Sequence, residues 1–220
     1  MVLGFDTATP ATVVALLPDE GEPIERHHEP APGERPGHAT QLLPLARRAL
    51  DAAGATFADV DRIGVGVGPG TFTGLRIGVA TARALAQGTG AELAPVSTLE
   101  ALADGADTDR AVLAVLDARR GEAFVAAYQA GARLLEPAAV QPDDLADLAD
   151  PALAPWLAVG DGAIRFRDRL EPAVEVPADA STLHRVSALA VCRLAAIARP
   201  VDRDALLPDY IRAPDAVPRR

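Results

Sequence analysis

Two segments carry residue types that could act on an anion. Asp6-Thr7-Ala8-Thr9 follows the apolar run Val2-Leu3-Gly4-Phe5, and Gly68-Pro69-Gly70-Thr71-Phe72-Thr73-Gly74 lies between an apolar run over 63–67 and a helix-like stretch. Tight turns of this kind present backbone N–H groups to phosphate oxygens, and an Asp beside them can organise a metal or a water. Asp6, Thr7, Thr9, Gly68 and Gly70 are therefore candidates for holding a nucleotide phosphate. Each segment also has a plainer reading. The first can be an Asx or ST turn closing a hairpin. The second can be a helix start capped by Thr73, its glycines permitting positive φ and close backbone approach. Two further turns carry similar chemistry: Asp117 opens Asp117-Ala118-Arg119-Arg120-Gly121-Glu122, and Gly160-Asp161-Gly162 follows the apolar run 156–159.

Other catalytic classes find little support. All 21 basic residues are arginine, so Schiff-base chemistry and a phosphate-loop lysine are excluded. There is no HExxH. His27 and His28 are adjacent and point oppositely on a strand. His38 is expected at a helix start in a surface or capping role, and His184 in the first turn of the last helix, at the surface. Ser97, Ser181 and Ser187 lack a GxSxG elbow. Cys192 is the one cysteine and reads as a small buried hydrophobe. The cluster Asp143, Asp144, Asp147 and Asp150 reads as a solvated helix face, and no metal site is expected.

The elements that must position these residues follow from hydrophobic patterning. A strand, polar turn and returning strand occupy 2–17, and an edge strand is expected near 22–28. A helix begins at 37 or 38 and runs to 54 across Pro44. After the strand at 62–67, a second helix covers 75–89, a short strand 92–96 and a third helix 98–103. A second strand–turn–strand unit spans 112–128. Asp6 precedes Val13 by seven residues, and Asp117 precedes Phe124 by seven, which reads as a distant internal duplication. A short helix over 143–148, a strand over 156–159 and a last helix from Ser181 to 198 complete the expectation. The tail 206–220, with Pro208, Pro214 and Pro218, reads as an extended strap.

Composition bounds the whole. The 220 residues are 49% hydrophobic but only 4% aromatic, enough for one large domain or two lobes packed through small side chains. The formal net charge of −10 repels phosphate backbones, so strong nucleic-acid binding by the chain alone is not expected. The N-terminus lacks the basic and apolar regions of a signal peptide, and no stretch approaches the ~18 apolar residues of a membrane span. A cytoplasmic protein is expected.

Several motifs now converge. GPGTFTGLRIG after a strand, Asp6-Thr7-Ala8-Thr9, Pro95-Val96-Ser97-Thr98-Leu99, Asp117-Ala118-Arg119-Arg120-Gly121-Glu122 and Pro208-Asp209-Tyr210-Ile211-Arg212 resemble, in order and across the chain, the TsaB (YeaZ) family. The resemblance implies an α/β, two-lobe actin-like ATPase fold with mixed sheets flanked by helices and a reduced second lobe. Residues 1–106 would form the first lobe and 107–220 the second, smaller one with an extended tail. It implies a non-catalytic activator in the threonylcarbamoylation of adenosine 37 of tRNA, paired with a TsaD-type catalytic subunit. A TsaE-type ATPase would join the complex, the chain alone would be a homodimer, and tRNA contact would be indirect. TsaD-like proteins hold a metal through two His four residues apart, and the matching positions here are Thr98 and Leu102, so this copy should not carry out the transfer. Asp6, Thr7, Thr9, Gly68, Gly70, Asp117, Gly160 and Gly162 would then be vestigial nucleotide contacts, with no cofactor for the chain alone and ATP or ADP only within the complex. The alternative is an autonomous ATP-dependent transferase or glycoprotease-like metallohydrolase on the same fold.

The helix over 75–88 suggests the pairing surface. Leu75, Val79, Ala82 and Ala86 share one face, while Ile77, Ala80, Thr81, Ala84 and Gly88 lie nearly opposite, a wider apolar arc than one sheet requires. With Leu45, Ala49 and Ala52 of the preceding helix, these are expected to form a partner patch, two helices against two.

Overall fold

The computed structural model describes residues 1–211 apart from Pro32 and Pro172. Nine strands and six α-helices follow the chain as β1 (Val2–Asp6), β2 (Thr12–Leu17), β3 (Ile24–His28), α1 (His38–Ala52), β4 (Arg62–Gly68), α2 (Phe72–Thr89), β5 (Glu92–Ser97), α3 (Thr98–Asp104), β6 (Val112–Asp117), β7 (Ala123–Gln129), β8 (Ala132–Val140), β9 (Leu157–Val159), α4 (Asp161–Arg165), α5 (Arg167–Leu170) and α6 (Ala188–Ile197) among the described residues.

The strands form two sheets, ordered β3-β2-β1-β4-β5 and β8-β7-β6-β9. In the first, β1 runs antiparallel to β2 and parallel to β4. In the second, β6 runs antiparallel to β7 and parallel to β9. The same order and sense in both sheets establish the internal duplication, and the molecule has the two-lobe actin-like ATPase fold. The repeat is not exact in length. Asp6 faces Val13, whereas Asp117 faces Ala123, so the second turn is one residue shorter than the sequence spacing suggests.

Three apolar layers hold the sheets. Leu3, Phe5, Val14, Leu16, Ile63 and Val65 meet α1 and α2 on the outer side of the first sheet. Val115, Val125, Ala158 and Ala163 pack on the outer side of the second with Leu145 and Trp156. Between the sheets lie α3 and α6, enclosed by inward residues of both. The alternating glycines of β1 and β4 make room for α6: a Cβ on Gly64 would stand 2.5 Å from Ala195 Cβ, and one on Gly4 would stand 2.6 Å from Cys192 Sγ. Residues 188–197 thus return to the first sheet although they follow the second in the chain.

Several elements differ from expectation. The last helix begins at Ala188 with Ser187 as its N-cap, because Ser181 instead caps a separate 3-10 turn over Thr182–His184. The 143–148 stretch forms two 3-10 turns rather than one helix. Strand β8 carries Pro137, which argues against a strand in the sequence. It survives at a sheet edge, where Val125 faces Ala138 and Ala127 faces Leu135, so β8 bulges around Glu136 and Pro137. The strap is described to Ile211 only; Arg212, Pro214 and Pro218 lie outside the described residues.

Candidate functional site

The two acidic turns, at the carboxyl ends of β1 and β6, line one narrow crevice between them. Asp6 ends β1 fully buried. Its Oδ1 accepts the Ala8 N–H at 2.7 Å, and its Oδ2 accepts the Thr98 hydroxyl at 2.8 Å. The carboxylate lies flat on β4, for a Cβ on Gly66 would fall 1.8 Å from Oδ2. Burial pushes this carboxyl above the usual range despite its two donors. Thr7 is also buried and donates its hydroxyl to Gly74 O at 2.8 Å. Ala8 O accepts the Thr71 N–H at 2.7 Å. The first turn therefore spends its polar groups on its own chain and on the start of α2.

The glycine-rich segment is equally committed. Helix α2 starts at Phe72 with Thr71 as N-cap, so Thr73 lies inside the first turn and does not cap. Gly70 abuts Ala8. Gly68 is covered by the strap, whose Asp209 N–H donates to Val67 O at 2.7 Å, and a Cβ on Gly68 would lie 2.7 Å from Asp209 O. It does not face the crevice.

Across the crevice Asp117 sits at the end of β6 with only 6% of its side chain exposed. Arg165 donates to it at 2.7 Å and Arg119 at 3.2 Å, a charge clamp that leaves the carboxylate compensated. Asp161 receives the Asp117 N–H at 3.0 Å, and burial pushes its carboxyl up. Gly160 caps α4, a Cβ there would lie 2.1 Å from Val115 O, and one on Gly162 would lie 2.7 Å from Leu116 C. These two glycines seat α4 against β6. His184 is not a surface residue of the last helix. Its Nδ1 lies 3.1 Å from Gly160 O and its Nε2 3.1 Å from Pro177 O, pinning this turn from the side. The alternating small residues around Gly160 gave no signal for that role in the sequence. His38 is likewise buried, its Nδ1 2.8 Å from Thr12 Oγ1, and burial lowers its pKa.

Thr9, Gly70, Asp117 and Asp161 do converge, without Asp6, but with Ala8, Pro10, Thr71, Leu116 and Arg119 they enclose a volume of about 10 Å³. That is room for about one water, against ~300 Å³ for a small ligand pocket. The residues do not fit a nucleotide in this arrangement. Nor do Thr98 and Leu102 fit a metal: the Thr98 hydroxyl is bound to Asp6, and Leu102 is buried among the core residues between the sheets.

The expected partner patch divides. Leu45 and Ala49 are buried beneath α1 in the outer core, so they belong to the fold and not to a partner. They point inward because α1 rests its 42, 45, 46, 49 and 50 positions on the sheet. Ala80, Ala84 and Gly88 are exposed; Ile77 and Thr81 are half-buried, and Ile77 packs against the same core. The exposed strip of α2 continues to Phe72, 40% exposed, whose ring stacks on Tyr210 with centroids 5.5 Å apart beneath the Arg76 guanidinium. Leu43 of α1 is a large apolar residue left 47% exposed.

The family described as "TsaD: tRNA N6-adenosine threonylcarbamoyltransferase" matches residues 34–156. An uncharacterized Mycobacterium tuberculosis protein is 36% identical over 223 residues, covering 99% of this chain and 94% of that one. The Escherichia coli tRNA threonylcarbamoyladenosine biosynthesis protein TsaB is 40% identical over 131 residues, which span 58% of this chain and 54% of the E. coli protein. The solved structure of YeaZ from Pseudomonas aeruginosa superposes with a TM-score of 0.79 at 32% identity, covering 95% of this chain and 98% of that one.

Proposed function

Because this chain belongs to the TsaB (YeaZ) family, we propose that it takes part in tRNA threonylcarbamoyladenosine biosynthesis as a non-catalytic subunit that binds and activates a TsaD-type transferase. The observation that carries this reading is the Thr98 hydroxyl bound to Asp6. Where the catalytic relatives would hold a metal, this chain ties its first acidic turn to α3 and fills the second position with buried Leu102. The narrow crevice supports the same reading, as does the ion-paired state of Asp117. The strip Phe72, Ala80, Ala84 and Gly88 of α2 is the proposed pairing surface, since small side chains let a partner helix approach closely. Paired copies of this chain would use the same strip when no transferase is present.

Co-expression with the TsaD-type protein of the same organism tests the proposal. A stable one-to-one complex is expected, and threonylcarbamoyl transfer should depend on the partner's metal site and on the presence of this chain. Transfer by this chain alone would overturn it.

A further inference from the structure

Two imidazoles at the amino end of α1 take no part in the reading above. His38, the first residue of α1, is 3% exposed. Its Nδ1 lies 2.8 Å from the hydroxyl of Thr12, itself buried at the start of β2. Thr12 is opposed to His28 in the β2–β3 ladder, and directly opposed residues of two strands share one face of the sheet. The His28 ring also meets the start of α1, since a Cβ on Gly37 would stand 3.7 Å from its Cε1. His28, Thr12 and His38 thus join three elements. The joint lies two residues beyond Pro10, which lines the crevice.

Each ring has one nitrogen left over. His38 Nε2 and His28 Nδ1 are both buried with no hydrogen-bond partner among the described residues, although buried polar atoms normally find one. Two imidazoles alone do not make a metal site, and among the described residues no third His, Cys, Asp or Glu stands close enough to complete one. What the arrangement does control is the protonation of His38. Neutral His38 can donate Nδ1–H to Thr12 and leave Nε2 a bare lone pair. The cation has an N–H at Nε2 with no acceptor, and an unmet buried donor costs more when it is charged.

The elements packed around His38 give that cation no compensation among the described residues. Strand β2 bears no charged residue. On β3, His28 would repel it, Glu25 is committed to the amino end of α6, and Arg26 and His27 are exposed. In the 29–37 segment Glu29 is paired with Arg185, Glu34 accepts the Ala31 N–H, and Arg35 is exposed. The first turn of α1 holds no acidic residue, and the positive end of its dipole lies at His38. Helix α2, packed on α1, carries Arg76 and Arg83 and no carboxylate. Burial first, and His28 next, accordingly hold His38 below the ordinary histidine value. In the unfolded chain His38 takes its proton near ~6.5. The stability that neutral His38 supplies is therefore complete above that value and is lost as pH falls below it. Acidification also protonates Asp6, which relieves a buried charge and works in the opposite sense. We propose that His28, Thr12 and His38 form an acid-sensitive latch, whose protonation releases the amino end of α1 and the exit of the first acidic turn.

Amide hydrogen exchange of the full chain, read by NMR at about pH 7 and about pH 5 and corrected for its intrinsic pH dependence, tests this. Protection over 38–45 and 11–14 should fall at least tenfold at the lower pH, while protection over 112–128 holds. His38→Gln should lose the effect, because its neutral amide has no proton to take up, and His28→Gln should shrink it several-fold. Imidazole nitrogen shifts of the parent, a readout that needs no variant, should show His38 neutral until the loosening begins. Equal protection at both pH values would overturn the proposal. So would the same fall in His38→Gln, an equal fall over 112–128, or a His38 imidazole that takes its proton while these amides stay protected.

Discussion

Asp6 concentrates the tension between stability and inheritance in this molecule. A carboxylate with complete burial and only two neutral donors costs the fold, as its raised pKa records. Between the ordinary carboxyl value and the raised one, the native state keeps a proton that the unfolded chain has released. Stability therefore falls as pH rises through that window and levels off above it. Asparagine at this position would keep the oxygen that accepts from Ala8 and would donate to Thr98, whose hydroxyl can turn to accept. Asp6→Asn is accordingly expected to stabilise the chain by about 1 kcal/mol or more at neutral pH. Urea denaturation of both forms at several pH values checks this. The advantage should shrink as pH falls through the window, and a variant no more stable than the parent at pH 7 would show that the turn needs the charge. Asp6 was legible in the sequence as an acidic turn residue. Its burial was not, because that depends on β4 bringing Gly66 beneath it.

Helices α2 and α6 show how element-scale features escape a reading of local pattern. The N-terminus of α6 is closed from a distant strand: Glu25 of β3 accepts the Ala188 N–H at 2.5 Å and the Leu189 N–H at 3.2 Å, beside the Ser187 hydroxyl, which itself accepts from Ala190. Glu25→Ala should cost about 1–2 kcal/mol in thermal or urea unfolding, since it removes both a cap and a charge at the positive end of the helix. Helix α2 poses the complementary case. Its Leu75, Gly78, Val79 and Ala82 are buried, whereas Ala80 and Ala84 face outward. Arginine at 84 should therefore leave the monomer folded and place a charge in the proposed pairing surface. Ala84→Arg is expected to weaken pairing a hundredfold or more, ~3 kcal/mol. Light scattering after size exclusion reads the change in mass, and circular dichroism reads the fold; a variant that stays paired would move the partner elsewhere. Leu45→Arg would instead unfold the chain, because Leu45 is 1% exposed.

At the scale of the whole molecule, the two acidic turns bound one gap of about 10 Å³, which leaves a nucleotide no volume without a separation of the turns. Titration of the isolated chain with ATP or ADP and magnesium should therefore show no binding tighter than about 1 μM, or −8 kcal/mol. A tighter constant would mean that the lobes open at little cost and that Asp117 releases Arg165. The acidic surface, with a formal net charge of −10, acts in the same direction by repelling a polyphosphate.

Local pattern determined much of this. Apolar runs ending in Asp, repeated at 2–17 and 112–128, specify two hairpins of one design, because a buried strand followed by a polar turn is encoded within a few residues. That Thr98 and Leu102 stand where two imidazoles would be expected came from the resemblance to a family and not from local pattern. Only the tertiary structure decided which polar groups remain available. The bonds of Asp6 to Thr98 and of Glu25 to Ala188 join residues 92 and 163 positions apart. The charge clamp on Asp117 needs α4 packed on β6. Periodicity marked an apolar arc on α2 but not which part of it the sheet would cover, since that follows from how the helix is rotated against β4.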